Sequence, residues 1–402
     1  MQISFVNQSA LLRLLAMVLV VSASLSSCMS TGRLAYSAAD AQDAEVPGFS
    51  KLRVYLDAEG PLPQNGIWMP RTASKNQSLL VISGGGAGGA FGVGVLSAWS
   101  KKGTRPNFDM VTGVSTGALI APYAFLGSRY DKDLVQLYTS GIAKTLLQTK
   151  PLPVGLLGQS LAKPEPLRRL VEQNITTDVV ALIAAEHRKG RRLFVLTSNL
   201  DAQRAVVWNM GAIADSGKPD ALALFRQILI ASASIPGIYP SVMIKATSGG
   251  HTFEEMHSDG GSTTQFLAVP EAMMTSAVSM PVRRGQKLDI YVIANNALMP
   301  EFAITTDRTL SVMSRAYSTL IKSQTRSALV ALYGFSQKSG IGFHVASIDT
   351  VVKYDPLDPF GTSYMRAVFN LGAAEMENGT VWKDRPVFPA PSYTDVKTAA
   401  PI

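Results

Sequence analysis

Between Ser78 and Gly127 the chain twice runs from a short apolar stretch, through a glycine-dense turn, into an apolar stretch of helical spacing. In the first unit Leu79 to Ile82 feeds Gly84, Gly85, Gly86, Ala87, Gly88 and Gly89, after which Phe91, Val95, Leu96 and Trp99 mark one face of a helix that ends by Gly103. The second has a strand from Phe108 to Thr112, a bend at Gly113-Val114-Ser115-Thr116-Gly117, and a helix from Ala118 to Leu126 stopped by Gly127. Strand, turn and helix in succession belong to an α/β protein, whose chemistry gathers at the turns.

Each turn carries its own expectation. Glycines before a helix leave backbone N–H groups uncovered beside the positive end of the helix dipole, so Gly84 to Gly89 reads as an anion site. The second turn has the G-x-S-x-G form of a nucleophile elbow, which predicts Ser115 as a nucleophile held up at the end of its strand. Neither is specific alone in a chain with 33 glycines, and an ordinary turn explains each. The run Gly84-x-Gly86-x-x-Gly89, with Asp109 about twenty residues on, also fits a dinucleotide-binding pattern, although Asp109 opens a strand instead of ending one. Taken together, the turns offer what acyl transfer needs: a nucleophile, and donors for the oxyanion. A third group must take the serine proton.

The run Ile82-Ser83-Gly84-Gly85-Gly86-Ala87-Gly88-Gly89-Ala90-Phe91-Gly92, followed by Gly113-Val114-Ser115-Thr116-Gly117, resembles the patatin-like phospholipase family. Pro166 to Leu170, Ala231 to Pro240 and Asp259-Gly260-Gly261 are similar to its later blocks in order and kind, so the resemblance spans residues 78–262, with weaker echoes to Gly372. It implies a three-layer α/β/α fold with a central, mostly parallel sheet. It further implies a Ser115–Asp259 dyad, an elbow formed with Gly113 and Gly117, and an oxyanion hole from Gly84, Gly85, Gly86, Gly88 and Gly89. No cofactor or metal is implied. The substrate class would be acyl esters of phospholipids or related lipids. At Gly88 the family usually carries a basic residue, so any charge from that side chain is missing.

Two alternatives remain. The order Ser115, Asp259, His344 is that of an α/β-hydrolase triad, and His257 lies two residues before Asp259, on the same side of an extended segment. A membrane-tethered scaffold without catalysis is the other. The remaining histidines, His187 and His251, form no metal-ligand spacing with carboxylates.

At the N-terminus Arg13 precedes an apolar run from Leu14 to Ala23, too short to span a bilayer and suited to a signal peptide over residues 1–27. Leu25-Ser26-Ser27-Cys28 resembles a bacterial lipoprotein signal, implying a lipid on Cys28 and an exported protein held at a membrane of the cell envelope, with the outer membrane expected. Cys28 is the sole cysteine, so internal disulfides are excluded. Residues 28–50, rich in small and polar residues, read as a flexible tether, and residues 51–402 as one hydrolase domain. The net charge falls from +8 to +7 once Arg13 is removed. A basic surface beside a membrane favours anionic headgroups, and export makes nucleic acid a poor partner.

Further strands are expected at Leu52 to Leu56, Arg192 to Ser198, Ala205 to Trp208, Leu288 to Ala294 and Gly342 to Ile348, and a helix at Ala221 to Ile230. Thr145 to Ala162 is apolar and aperiodic, so it suits either a lid or a buried connection. From Thr306 to Phe335, Leu310, Met313, Tyr317, Leu320, Ile321, Ala328 and Leu332 predict a helical core stripe. Arg308, Arg315, Lys322 and Arg326 share another face, for solvent or lipid phosphates.

Overall fold

Strands form wherever an apolar run was expected to give one. In the computed structural model, which describes residues 32–58, 70–72, 74–151, 158–275, 286–302, 304–355 and 358–388, they are β1 (Arg53–Tyr55), β2 (Asn76–Ile82), β3 (Met110–Val114), β4 (Arg192–Asn199), β5 (Arg204–Asn209), β6 (Val242–Ser248), β7 (His251–Asp259), β8 (Lys287–Ala297) and β9 (Gly342–Ile348). The hairpin of β6 and β7 had no counterpart among the expected strands. All join one sheet in the order β1-β5-β4-β3-β2-β8-β9, with β7 antiparallel to the end of β4 and β6 antiparallel to β7. Strands β4, β3, β2, β8 and β9 are mutually parallel, so their carboxyl ends share one edge.

The helices are α1 (Ala38–Asp43), α2 (Gly89–Lys101), α3 (Thr116–Leu126), α4 (Asp131–Thr139), α5 (Glu165–Asn174), α6 (Thr177–Arg188), α7 (Met210–Ala214), α8 (Ala221–Ser232), α9 (Glu271–Thr275), α10 (Thr309–Ser339) and α11 (Thr362–Asn378). Because strand side chains alternate between faces, Leu80, Ile82, Val111, Leu193 and Val195 pack on one side with Phe91 of α2, Ile120 of α3, Ile228 of α8 and Val368 of α11. Their neighbours Leu79, Val81, Met110, Phe194 and Leu196 pack on the other with Phe266, Leu267 and the end of α10, through Leu329, Leu332 and Phe335. The sheet is thus covered on both faces, which explains why its parallel strands read as unbroken apolar runs. This is the three-layer α/β/α arrangement. The helix pair α2 and α11 meets backbone to backbone, since a Cβ at Gly94 would fall on the Phe369 carbonyl and one at Gly372 on that of Phe91.

Two expectations need correction. Residues 32–50 were read as part of a tether, yet they lie on the domain. Arg33 pairs with Asp201, Tyr36 stacks on Phe253 with centroids 4.2 Å apart, Glu45 bridges to Thr247, and Val46 and Phe49 are buried in the core. A few apolar anchors suffice, and Ser37 and Asp40 close a capping box that starts α1. Residues 1–31, with the expected signal segment and Cys28, lie outside the described residues.

The second correction concerns α10. Its stripe is core only towards the end: Leu332 is buried, whereas Met313 and Leu320 are 63% and 67% exposed, and of the basic residues Arg315 and Lys322 turn inward while Arg308 is exposed. The side chain of Leu310 lies outside the described residues. For the segment Thr145 to Ala162, the described parts form a bonded connection: Thr149 bridges to Ala162, and the amides of Leu161 and Ala162 donate to the carbonyls of Gly237 and Ile238. Residues 152–157 of it lie outside the described residues. Among the described residues no helix is long and apolar enough to cross a membrane.

Candidate active site

Where β3 ends, the chain reverses within three residues into α3, and the glycines permit it by contact. A Cβ at Gly113 would fall on the Gly117 carbonyl, and one at Gly117 on the carbonyls of Ile82 and Ser83 at the end of β2. Ser115, between them, has φ of 55°, a conformation that costs a non-glycine residue roughly 1 kcal/mol or more and persists only where the surroundings impose it. They do. Its amide donates to Ser232 Oγ at 3.1 Å, and that hydroxyl donates to the Leu196 carbonyl at 2.6 Å, so α8 and β4 clamp the turn from behind.

Asp259 ends β7 and arrives at the same edge of the sheet. Its amide donates to the Ser234 carbonyl at 2.9 Å, its Oδ1 accepts from the Gly261 amide at 2.7 Å, and its Oδ2 accepts from Ser115 Oγ at 2.6 Å. Both side chains are nearly closed off, Ser115 at 6% and Asp259 at 3% exposed. Burial pushes the Asp259 carboxyl up to about 6, against the opposing pull of the hydrogen bonds from Ser115 and Gly261. At neutral pH it is a carboxylate, and a far better proton acceptor than an exposed aspartate.

No histidine joins them. His257 is fully buried beneath Asp259, its ring shared between Thr197 Oγ1 at 2.9 Å and Glu255 Oε2 at 3.2 Å, and burial lowers its pKa. Glu255 in turn pairs with Arg53. His344 bonds to Asp289 at 3.0 Å and stacks on Tyr291, near the opposite ends of β8 and β9. His187 packs over Gly211, and His251 is exposed at the start of β7.

The glycine loop splits into used and unused donors. The Gly84 amide donates to the Gln265 carbonyl at 3.1 Å, that of Gly88 to the Gly85 carbonyl at 2.9 Å, and that of Gly89 to carbonyls of Gly86 and Ala87. These three of the five expected donors are therefore occupied by the tight turn itself. The amides of Gly85 and Gly86 carry no hydrogen bond among the described residues. Gly86 and Ser115 line one apolar cavity of about 70 Å³, walled by Leu119, Leu137, Leu146, Leu167, Leu170, Ile235, Phe360 and Met365. Its polar groups are paired: Thr116 Oγ1 and the Tyr138 hydroxyl lie 2.7 Å apart.

The family model described as Patatin-like phospholipase matches residues 80–273, from within β2 to α9. Over these residues the chain is similar to the patatin-like phospholipase family. Among solved structures the chain is similar to VipD from Legionella pneumophila, at 12% identity over 77% of this chain and 68% of that one, with a TM-score of 0.33. It is also similar to the type III effector protein ExoU, at 13% identity over 76% and 54% with a TM-score of 0.26, and to ExoU with SpcU from Pseudomonas aeruginosa, at 15% over 67% and 59% with a TM-score of 0.24. No curated protein sequence matches the chain.

The departure from the family pattern at Gly88 has a steric cause. A Cβ there would fall on the carbonyl oxygen of Asn295, and one at Gly85 would come within 2.7 Å of Asn295 Cβ. Asn295 sits in the bulge of β8. Its side chain accepts from the Gly92 amide at 3.1 Å and donates to the Ser83 carbonyl at 2.9 Å, clipping the glycine loop and α2 onto the sheet. Only glycine fits against that clip, so the loop has backbone donors and no charge.

Sequence reasoning passed over Asn295, and also Gln265, whose carbonyl holds Gly84 while its side chain donates to the Gly261 carbonyl at 2.7 Å. One residue thus ties the glycine loop to the aspartate turn. A polar pair, Asn295-Asn296, at the end of an apolar strand was the available signal for the first. Gln265 had none.

Proposed function

We propose that this protein is a serine-dependent lipid acyl hydrolase of the phospholipase A or carboxylic ester hydrolase kind, acting at a membrane surface. The observation that carries the reading is the 2.6 Å hydrogen bond from Ser115 Oγ to Asp259 Oδ2, at the wall of an apolar cavity. The match to the patatin-like phospholipase model supports lipid acyl hydrolysis in general.

In this reading an acyl chain enters between Leu119, Leu167 and Met365 and sets its ester carbonyl over Ser115. Ser115 Oγ attacks the carbonyl carbon as its proton passes to Asp259 Oδ2, and the oxyanion takes the amides of Gly85 and Gly86. The tetrahedral intermediate expels the alcohol, which leaves with the proton from Asp259, and the acyl group stays on Ser115. Water then attacks the acyl carbon, gives its proton to Asp259, and the fatty acid departs as Ser115 recovers its hydrogen. Phosphate and headgroup take no part in bond-breaking, so cavity shape sets the preference among acyl esters.

We further propose export and a lipid on Cys28, which would hold the domain at the envelope membrane. Hydrolysis of a chromogenic acyl ester by wild type and by Ser115→Ala tests the chemistry, with covalent labelling of Ser115 by a fluorophosphonate as a second readout. A fully active Ser115→Ala would overturn the assignment. An unmodified Cys28 in the intact mass of the mature chain would overturn the anchor.

A further inference from the structure

The first turns of α10 are built inside out. Arg315 donates to the Glu301 carbonyl, and Lys322 donates to the Met299 carbonyl at 3.1 Å and pairs with Glu301 at 3.3 Å, so the charged side faces the chain. The apolar side faces away. Val312, Met313 and Leu320 are 51%, 63% and 67% exposed, and at about 100° per residue they fall on one arc of the helix. Phe302 and Ile304, in the segment leading into the helix, are each 70% exposed. Apolar residues scattered singly on a surface need no explanation, but several on one helix arc make a patch that a monomer in water rarely carries.

This patch borders the candidate site. Tyr317, next along the same arc, shares a hydrogen bond with Ser262 and lies within electrostatic reach of Asp259. Two turns further, Gln324 donates to the Thr263 carbonyl. The helix is therefore fastened to the turn that follows Asp259. Its charge is one-sided too: Thr309–Ser339 contains Arg315, Lys322, Arg326 and Lys338 and no aspartate or glutamate, and Arg308 precedes it with no acidic residue in the first turn. Arg315 and Lys322 are taken up on the inner side, so what the exposed end of α10 offers an anionic surface is Arg308, exposed just before the first turn, and the positive end of the helix dipole.

We propose that the exposed face of α10, with Val312, Met313 and Leu320 at its centre, docks on a bilayer containing anionic lipid and brings the Ser115 site against it. The substrate side of this inference rests on the reading of Ser115 as the nucleophile; the docking itself does not. A second copy of the chain seated on the same face would stand beside Tyr317, between the Asp259 turn and its substrate. A lipid surface covers those side chains and supplies the substrate at once.

The lone cysteine makes the test direct. In the full chain with Cys28→Ser, Met313→Cys carries a polarity-sensitive fluorophore, and Lys338→Cys carries it as a control at the other end of α10. Adding phosphatidylglycerol vesicles is expected to shift the emission of the label at 313 to the blue and leave that at 338 unchanged. A Val312→Ser/Leu320→Ser variant is expected to lose at least about 10-fold in hydrolysis of vesicle phospholipid while keeping its turnover of a soluble short-chain ester. No shift at 313 with vesicles, or a shift on raising protein concentration without them, overturns the docking, the latter in favour of a second copy. Should wild type fail to hydrolyse the soluble ester while the label still shifts, the nucleophile reading falls and the docking stands.

Discussion

The two glycine turns at the carboxyl edge of the sheet use the same residue for opposite purposes. At Gly113 and Gly117 glycine removes side chains so that backbones can touch, and every polar group around Ser115 is spoken for by Ser232, Leu196 or Asp259. At Gly86 a Cβ would meet nothing within 4 Å, and the amides of Gly85 and Gly86 have no hydrogen bond among the described residues. In the proposed reading one turn is closed to hold the nucleophile still and the other open to receive the oxyanion. Preorganised catalysis asks for both, because donors already aimed at the developing charge need no rearrangement when it appears.

The largest break in that contrast comes from the closed turn. Ser115→Ala is expected to lower kcat on a chromogenic ester by roughly 10⁴-fold or more with the fold intact by circular dichroism, as loss of a nucleophile does elsewhere. Asp259→Asn should cost about 10⁴-fold as well, and it separates activity from stability. A carboxyl raised to about 6 binds its proton more tightly in the folded state than in the unfolded one, so its ionisation opposes folding as pH rises from about 4 through 6. Denaturant titrations should find Asp259→Asn more stable than wild type by up to about 3 kcal/mol at pH 8, with the difference vanishing near pH 4. Wild-type kcat/KM should climb through pH 6 as the carboxylate forms, so a midpoint near 4 would place the group in water.

The open turn predicts smaller losses. Gly85→Ala drives a Cβ into Asn295 and should cost about 100-fold to 1,000-fold in kcat, the range for one lost oxyanion donor. Gly86→Ala finds open space but keeps φ at 52°, so its effect should be smaller, near the roughly fivefold that about 1 kcal/mol of backbone strain allows. Equal losses at both positions would erase the distinction between filling the loop and straining it. Smallest of all, His344→Ala should change turnover by less than about threefold, since the ring sits by Asp289 and Tyr291. A folded but inactive His344→Ala would revive the triad.

The local parts of this architecture were legible because they are written in contiguous residues. Apolar runs located most of the sheet, and the two glycine turns placed Ser115 and Gly84 to Gly89 at its edge. What sequence spacing could not give was which amides the loop consumes on itself, because Gly84 is held by Gln265 and Gly88 by its own turn. The hairpin of β6 and β7 was equally hidden: Lys245, Thr247, Glu254 and Glu255 interrupt its apolar residues, and Glu255 is buried because Arg53 meets it from β1 and His257 from two residues along β7. In α10 the spacing was right and the direction wrong for the first turns alone, where Met313 and Leu320 face out while Leu332 further along is buried, since periodicity shows that two faces differ without saying which one the protein keeps.

The docking of residues 33–50 changes what the proposed anchor can do. Arg33 is fixed to Asp201, in the turn after β4, on the same edge of the sheet as Ser115. Only four residues lie between it and Cys28, a reach of at most about 18 Å over the five steps when fully extended. A protein lipidated at Cys28 would then work on a short leash, with its catalytic edge confined to the leaflet that holds it. Its substrate would be met in two dimensions, and turnover would follow the surface fraction of that lipid and not its bulk concentration.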